Sequence, residues 1–156
     1  MRNSGNSSEP GEETKPRGQG EGLKSVFLIV LVVVVFLPVL KAGWIWDDDR
    51  YVLNNQALRS LSGLWRIWTG LRTEPQYYPL THTGLWIQYH LFGLHPFGYH
   101  VVSLLLQAAN AVLLYLALEA LAVPGALLAA AMFAIHPVQT ETVAWITEQK
   151  NLLSVL

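Results

Sequence analysis

The sequence predicts an all-α, polytopic membrane protein, and three observations carry that reading. Of 156 residues, 52% are hydrophobic and only 13% charged, with a mean hydropathy of +0.32; a soluble domain carries about 25% charge. Two apolar stretches, Ser25–Leu40 counted with its flanks Leu23 and Ala42–Trp46, and Val101–Leu121, reach the roughly 20 residues that a helix needs to cross a bilayer. The segments around them are too polar to span, yet keep helical periodicity. A net charge of −1 argues against nucleic acid, since nothing here displaces a counterion atmosphere. With no cysteine there is neither a disulfide framework nor a thiolate metal site.

Taken in order, residues 1–22 form a polar tail rich in Gly, Ser, Glu and Pro that cannot bury enough surface to offset ordering, so disorder is expected. Residues 23–156 form the membrane domain. Its first span covers about 24–42, with Lys24 and Lys41 at its edges. The long polar leader holds four glutamates, unlike the compact basic start of a cleaved signal, so an uncleaved anchor is expected. Residues 43–99 are too long for an idle connection. Leu61–Trp68 follows the potential cap Ser60 and puts Leu61, Leu64, Trp65 and Trp68 on one stripe. Leu80–Phe92 starts behind Pro79, which suits a first helical turn, and puts Leu80, Gly84, Ile87 and Leu91 on one face. Helices of this kind are expected to lie along the membrane surface.

A second span covers 101–121. Its polar residues Ser103, Gln107 and Asn110 fall on one side, where interhelical hydrogen bonding is their expected meaning. Ala122-Val123-Pro124-Gly125 predicts a turn, and 125–137 a third, small-residue-rich span ended by His136-Pro137. Residues 138–150 are polar again. A short surface helix there aims Glu141, Trp145 and Glu148 one way. A fourth apolar run starts at 151–156 and stops just inside a span.

Counting crossings delivers 43–99 and 138–150 to one side of the bilayer. The small excess of Lys15, Arg17 and Lys24 over Lys41 and Arg50 puts the tail in the cytoplasm and both loops outside. The acidic stretch Trp44-Ile45-Trp46-Asp47-Asp48-Asp49-Arg50 sits at the mouth of the first span. Three adjacent carboxylates repel one another and persist where water, a cation or a substrate solvates them. Two readings follow: an acidic active-site loop, or a solvated loop that stops the helix from sliding. The histidines at 82, 90, 95 and 100 lack metal-ligand spacing. No Gly-rich phosphate loop or nucleophile elbow is present.

Several motifs occur in a specific order: Trp46-Asp47-Asp48-Asp49, Asn55 before the Leu58–Trp68 stretch, Tyr77-Tyr78-Pro79-Leu80-Thr81, Phe92–His100, and Phe133–Trp145 with its His136-Pro137-Val138-Gln139-Thr140-Glu141 centre. From about Gly43 onward this order resembles the GT-C superfamily of membrane glycosyltransferases. More narrowly, it is similar to the TMTC-type transmembrane and tetratricopeptide-repeat proteins and their bacterial relatives, of which the chain looks like an N-terminal fragment that is inactive alone. The resemblance implies a GT-C-like helical bundle and inverting transfer of a sugar, mannose, from a polyprenyl-phosphate donor to a Ser/Thr hydroxyl of an exported protein. It implies Asp47 as general base, Asp48 as orienting or alternate base, and Glu141 as the acceptor-positioning group. Tyr78, His136, Lys150 and Asp49 are the implied donor-binding group. Gln149 stands where an arginine is expected, and glutamine cannot make a charge-assisted fork with phosphate. No cofactor is required; a divalent metal is not expected, although an Asp cluster offers the hard oxygens that Mg²⁺ takes. The implied partners are the bilayer, the lipid-linked sugar and the acceptor protein, in a bacterial inner membrane or an endoplasmic reticulum. Two other classes fit the residues: a transporter with a cation-gathering acidic loop, and a membrane anchor without chemistry.

Overall fold

The computed structural model describes residues 18–70 and 76–156, and every element among these residues is a helix. Most of the tail expected to be disordered lies outside the described residues; its last part, from Gly18, already belongs to helix α1, Gly18–Phe36. From Val26 onward that helix is apolar all round, and there Leu28, Val32 and Phe36, one residue per turn, are the buried ones. Pro38 cannot donate to a continuing α-helix, and Leu37–Lys41 tightens into a 3₁₀ turn. The second long helix, α4 (Pro96–Ala120), begins a turn earlier than the apolar run. Pro96 is why: at a first turn its missing N–H costs nothing. Two segments, Gly20–Lys41 and Pro96–Ala120, are long and apolar enough to cross a membrane.

Between them, α2 (Leu61–Thr69) and α3 (Pro79–Phe92) stand where the periodicity put them. Ser60 caps α2 by accepting the Gly63 N–H at 3.1 Å. The apolar stripe of α2 faces outward, with Trp65 72% exposed, while Gly63 and Ile67 face the protein. Leu80, Ile87 and Leu91 of α3 are exposed likewise. The Trp68 indole N–H donates to Thr83 Oγ1 at 3.1 Å, and Trp86 Nε1 donates to the Ser60 carbonyl at 3.0 Å. These bonds hold the two helices together.

After a turn with Gly125 in the left-handed region (φ 80°), α5 (Ala126–Ala134) packs on α1 and α4. Its nine residues rise about 14 Å, shorter than the stretch expected from sequence. Residues 138–150 do not form one helix. They fold as α6 (Val138–Ala144), a 3₁₀ turn Ile146–Glu148, and α7 (Gln149–Val155). Trp145 is extended (φ −89°, ψ 122°), so Glu141 and Glu148 do not share a helix face as their spacing suggested. A tertiary hydrogen bond at Thr147, described below, holds this break.

The buried residues form three groups. Val32, Phe36, Leu104, Ala108, Ala111, Ala134, Val143 and Leu152 join α1 and α4–α7. Leu28, Tyr115, Ala126 and Ala130 continue this seam toward the far end of α4. Tyr51, Val52, Ala57, Leu58, Ile67, Leu85, Tyr99 and Ile146 seat the 43–99 segment on α4 and the Ile146–Glu148 turn. The polar side of α4 faces protein: Gln107 Nε2 donates to the Ala134 carbonyl at 3.1 Å and Asn110 Nδ2 to the Leu152 carbonyl at 2.9 Å. Interhelical hydrogen bonding is thus what that stripe does, as its spacing implied.

Candidate active site

The acidic stretch is wound tightly. Trp46 adopts φ 45°, a left-handed conformation that costs a non-glycine residue roughly 1–2 kcal/mol. Beyond it the Asn54 N–H bonds to the Asp49 carbonyl at 2.8 Å, closing a π-type turn over Asp49–Leu53. Single π turns and left-handed residues recur at functional sites.

This winding separates the three carboxylates. Asp47 and Asp49 are exposed, whereas Asp48 is 0% exposed. Asp48 Oδ2 accepts the Ile45 N–H at 3.0 Å, and Oδ1 accepts the Thr147 N–H at 3.0 Å, across 99 residues of sequence. Burial raises the Asp48 carboxyl above its ordinary value, and the two N–H donors pull it part of the way back. Asp48 therefore clamps the first polar segment onto the second. Next to that clamp the Trp46 and Trp145 rings lie 5.9 Å apart.

Around Tyr51 the two segments build a charged cluster. Burial pushes the Tyr51 phenol up; Lys150 and Arg50 lower it, while Asp47 and Tyr78 raise it. Lys150 Nζ sits 2.8 Å from Glu148 Oε1 and 6.0 Å from the centre of the Tyr78 ring. Burial would lower the Lys150 ammonium, but Glu148, with Tyr51 and Tyr78, outweighs it and holds the group above its usual range. The His82 ring stacks on Tyr51, 5.6 Å apart and nearly parallel.

Of the residues singled out in the sequence, Lys150 lies by the Tyr78 ring, Asp47, Tyr78 and Lys150 all act electrostatically on the Tyr51 phenol, and Asp48 is the tether between the two segments. Asp49 is exposed on the π turn. Glu141 is exposed on α6, and His136 is exposed at that helix's start, its Nδ1 accepting the Val138 N–H at 3.3 Å. Among the described residues, neither has a hydrogen bond or ion pair to the Tyr51 cluster. Sequence reasoning missed Tyr51 as a site residue. Glu148 was noticed, but its pairing with Lys150 was not, because an i, i+2 pair is no helical signature. Among the described residues, no group of three His, Asp or Glu side chains converges to hold a metal ion.

Comparison with known proteins bears on this arrangement. No family model and no solved structure matches the chain. It is 26% identical to "Protein O-mannosyl-transferase F38B6.6" of Caenorhabditis elegans, over 96% of this chain and 24% of that protein. It is 30% identical to "Protein O-mannosyl-transferase TMTC4" of Homo sapiens, over 81% of this chain and 20% of the relative. With "Protein O-mannosyl-transferase Tmtc1" of Drosophila melanogaster it shares 32% identity over 80% of its length and 16% of the relative's. The chain spans about a fifth of the length of the curated relatives it matches. The resemblance read from the motif order is thus borne out: over most of its length this chain is homologous to one part of the protein O-mannosyl-transferases of the TMTC family.

Proposed function

We propose that this chain is part of a GT-C-type membrane glycosyltransferase that moves a sugar, mannose, from a polyprenyl-phosphate donor to a Ser/Thr hydroxyl of an exported protein. The observation that carries the reading is the Asp48–Thr147 clamp. It joins the strained acidic stretch to the segment bearing Lys150, which supports a reading in which the exposed Asp47 carboxylate and the Lys150 ammonium serve one site.

In this reading Asp47 takes the proton from the acceptor hydroxyl. The acceptor oxygen bonds to the anomeric carbon as the bond from that carbon to the donor phosphate breaks, inverting the centre. The electron pair leaves on the polyprenyl phosphate, whose developing charge Lys150 meets, with Tyr78, Asp49 and His136 lining the donor side. Asp48 has both oxygens committed to backbone N–H groups, which suits orientation rather than proton transfer. Glu141 stands toward the acceptor. No step calls on a metal. The 43–99 and 138–150 segments lie on the outer or lumenal side, in an endoplasmic reticulum for a eukaryotic host, with the exposed stripes of α2 and α3 along the membrane surface and the tail in the cytoplasm.

The test is transfer of radiolabelled mannose from its polyprenyl phosphate by the longer parent protein. Asp47→Asn is expected to lower turnover by about 10²-fold or more while membrane insertion survives. Unchanged turnover in Asp47→Asn and Asp48→Asn alike would remove the assignment.

A further inference from the structure

The residue between Glu148 and Lys150 points the other way. Gln149 opens α7, is 2% exposed, and lies against α3 and α4. Its Nε2 is 3.1 Å from each of three acceptors: Gln88 Oε1, Ser103 Oγ and the Tyr99 carbonyl. Its Oε1 accepts from Gln88 Nε2 at 2.8 Å. Gln88, also buried, spends its second N–H on the Gly84 carbonyl at 3.1 Å. The two amides thus form a reciprocal pair, and one side chain ties the first turn of α7 to an α3 residue and to two α4 residues.

A helical residue turns about 100° from its neighbour, so locking Gln149 inward leaves Lys150 on the flank of α7. Glu148, the N-cap of that helix, precedes it. Lys150 meets Glu148 at 2.8 Å and the Tyr78 ring at 6.0 Å, and Asn151 Nδ2 also donates to Glu148. Lys150 is a long chain on a seven-residue helix. Left to itself, such a side chain pays appreciable rotamer entropy to hold one geometry. An arginine at 149 pointing into the site would itself be an anion ligand; the glutamine found there points inward and acts on the site through its neighbours.

We infer that Gln149, paired with Gln88, is the positioning residue of the candidate anion site: it holds α7 so that the Glu148–Lys150 pair is presented to Tyr78 and Tyr51. The inference rests on the reading of Lys150 as a phosphate-facing group, but its test does not require transfer activity.

The experiment uses the full chain in phospholipid nanodiscs and a water-soluble amine-acylating probe, with labelling at Lys150 and Lys41 followed by mass spectrometry at one alkaline pH. Glu148→Gln frees Lys150 from its carboxylate and sets the rate for full release. Gln149→Ala is expected to raise Lys150 labelling severalfold toward that rate, with Lys41 unchanged. Should Gln149→Ala fail to fold, Gln88→Met removes the α3 arm while leaving the Ser103 and Tyr99 bonds, and is expected to raise the rate part of the way. Lys150 labelling at the wild-type rate in whichever of these variants fold would overturn the inference. A longer parent protein without mannose transfer, beside the expected labelling pattern, would sink the proposed reaction and leave the positioning role standing.

Discussion

Replacing Asp48 tests the clamp that holds the two polar segments together. Asp48→Ala leaves the Ile45 and Thr147 N–H groups without their acceptor; the Thr147 bond is buried and the Ile45 bond half-buried. A buried donor left unpaired costs about 1–3 kcal/mol. The half-buried one recovers part of this from water. The variant also sheds the cost of burying a carboxylate, the cost that raises the Asp48 carboxyl. The balance is a loss of about 2–4 kcal/mol. Asp48→Asn keeps one acceptor oxygen and turns an NH₂ toward the other donor, so it falls between, at about 1–2 kcal/mol. Thermal unfolding in detergent, read by near-ultraviolet circular dichroism, should rank the three proteins wild type, Asn, Ala. The spacing is about 2–4 °C per kcal/mol for a chain of this size. The pH dependence has a definite sign. Because the folded carboxyl lies above the unfolded value of 3.8, the folded state binds the proton more tightly. Wild type therefore gains stability relative to Asp48→Asn as pH falls through the folded pKa toward 3.8. A paired surface carboxylate would show the reverse. Equal melting of wild type and Asp48→Ala, or stability of wild type over Asn that shrinks on acidification, would refute the reasoning.

Other outcomes follow from the same geometry. A Cβ at Gly63 would sit 2.0 Å from the Ala57 carbonyl oxygen, so Gly63→Ala should cost about 1–3 kcal/mol and raise hydrogen exchange over 56–69. Gly43→Ala, which meets nothing within 4 Å, should leave exchange there unchanged. The Lys24–Glu119 ion pair, 2.9 Å long and partly exposed, should show a coupling of no more than about 1 kcal/mol in a double-mutant cycle. Asn110→Ala removes the bond to the Leu152 carbonyl and should cost about 0.6–1.7 kcal/mol by detergent unfolding, with α7 the first element to exchange. Trp46→Gly relieves the left-handed strain but loses the Trp145 contact; the two offset, and the melting temperature should move by only a few degrees.

Much of the architecture is local and was therefore written in the sequence. Ser60 before Leu61, Pro79 and Pro96 at first turns, and Gly125 between two apolar runs act within a few residues of themselves. The α2 and α3 helices stand within one turn of where such signals put them, whereas α4 begins at Pro96, five residues before the apolar run that marked it in the sequence. The Ser103–Gln107–Asn110 stripe likewise had one inexpensive solution among apolar neighbours, bonds to adjacent helices. The 138–150 segment shows the limit. Its i, i+4, i+7 spacing favoured a continuous helix, and what broke it was an acceptor 99 residues earlier, which no local rule can see.

The same division separates what was legible in the candidate site from what was not. Composition and motif order alone determined a helical membrane chain whose first two spans are of membrane length, its likeness to the TMTC-type proteins, and an acidic stretch at the mouth of the first span; that the third predicted span shrinks to the nine residues of α5 was decided by the tertiary structure. The tertiary structure alone decided that one of the three adjacent aspartates is buried and two are exposed, that Tyr51 and Glu148 join Lys150, and that Gln149 faces inward. Neighbouring residues of one type are equivalent until a fold gives one of them backbone donors and leaves the others in water; that choice is made by atoms far away in the chain.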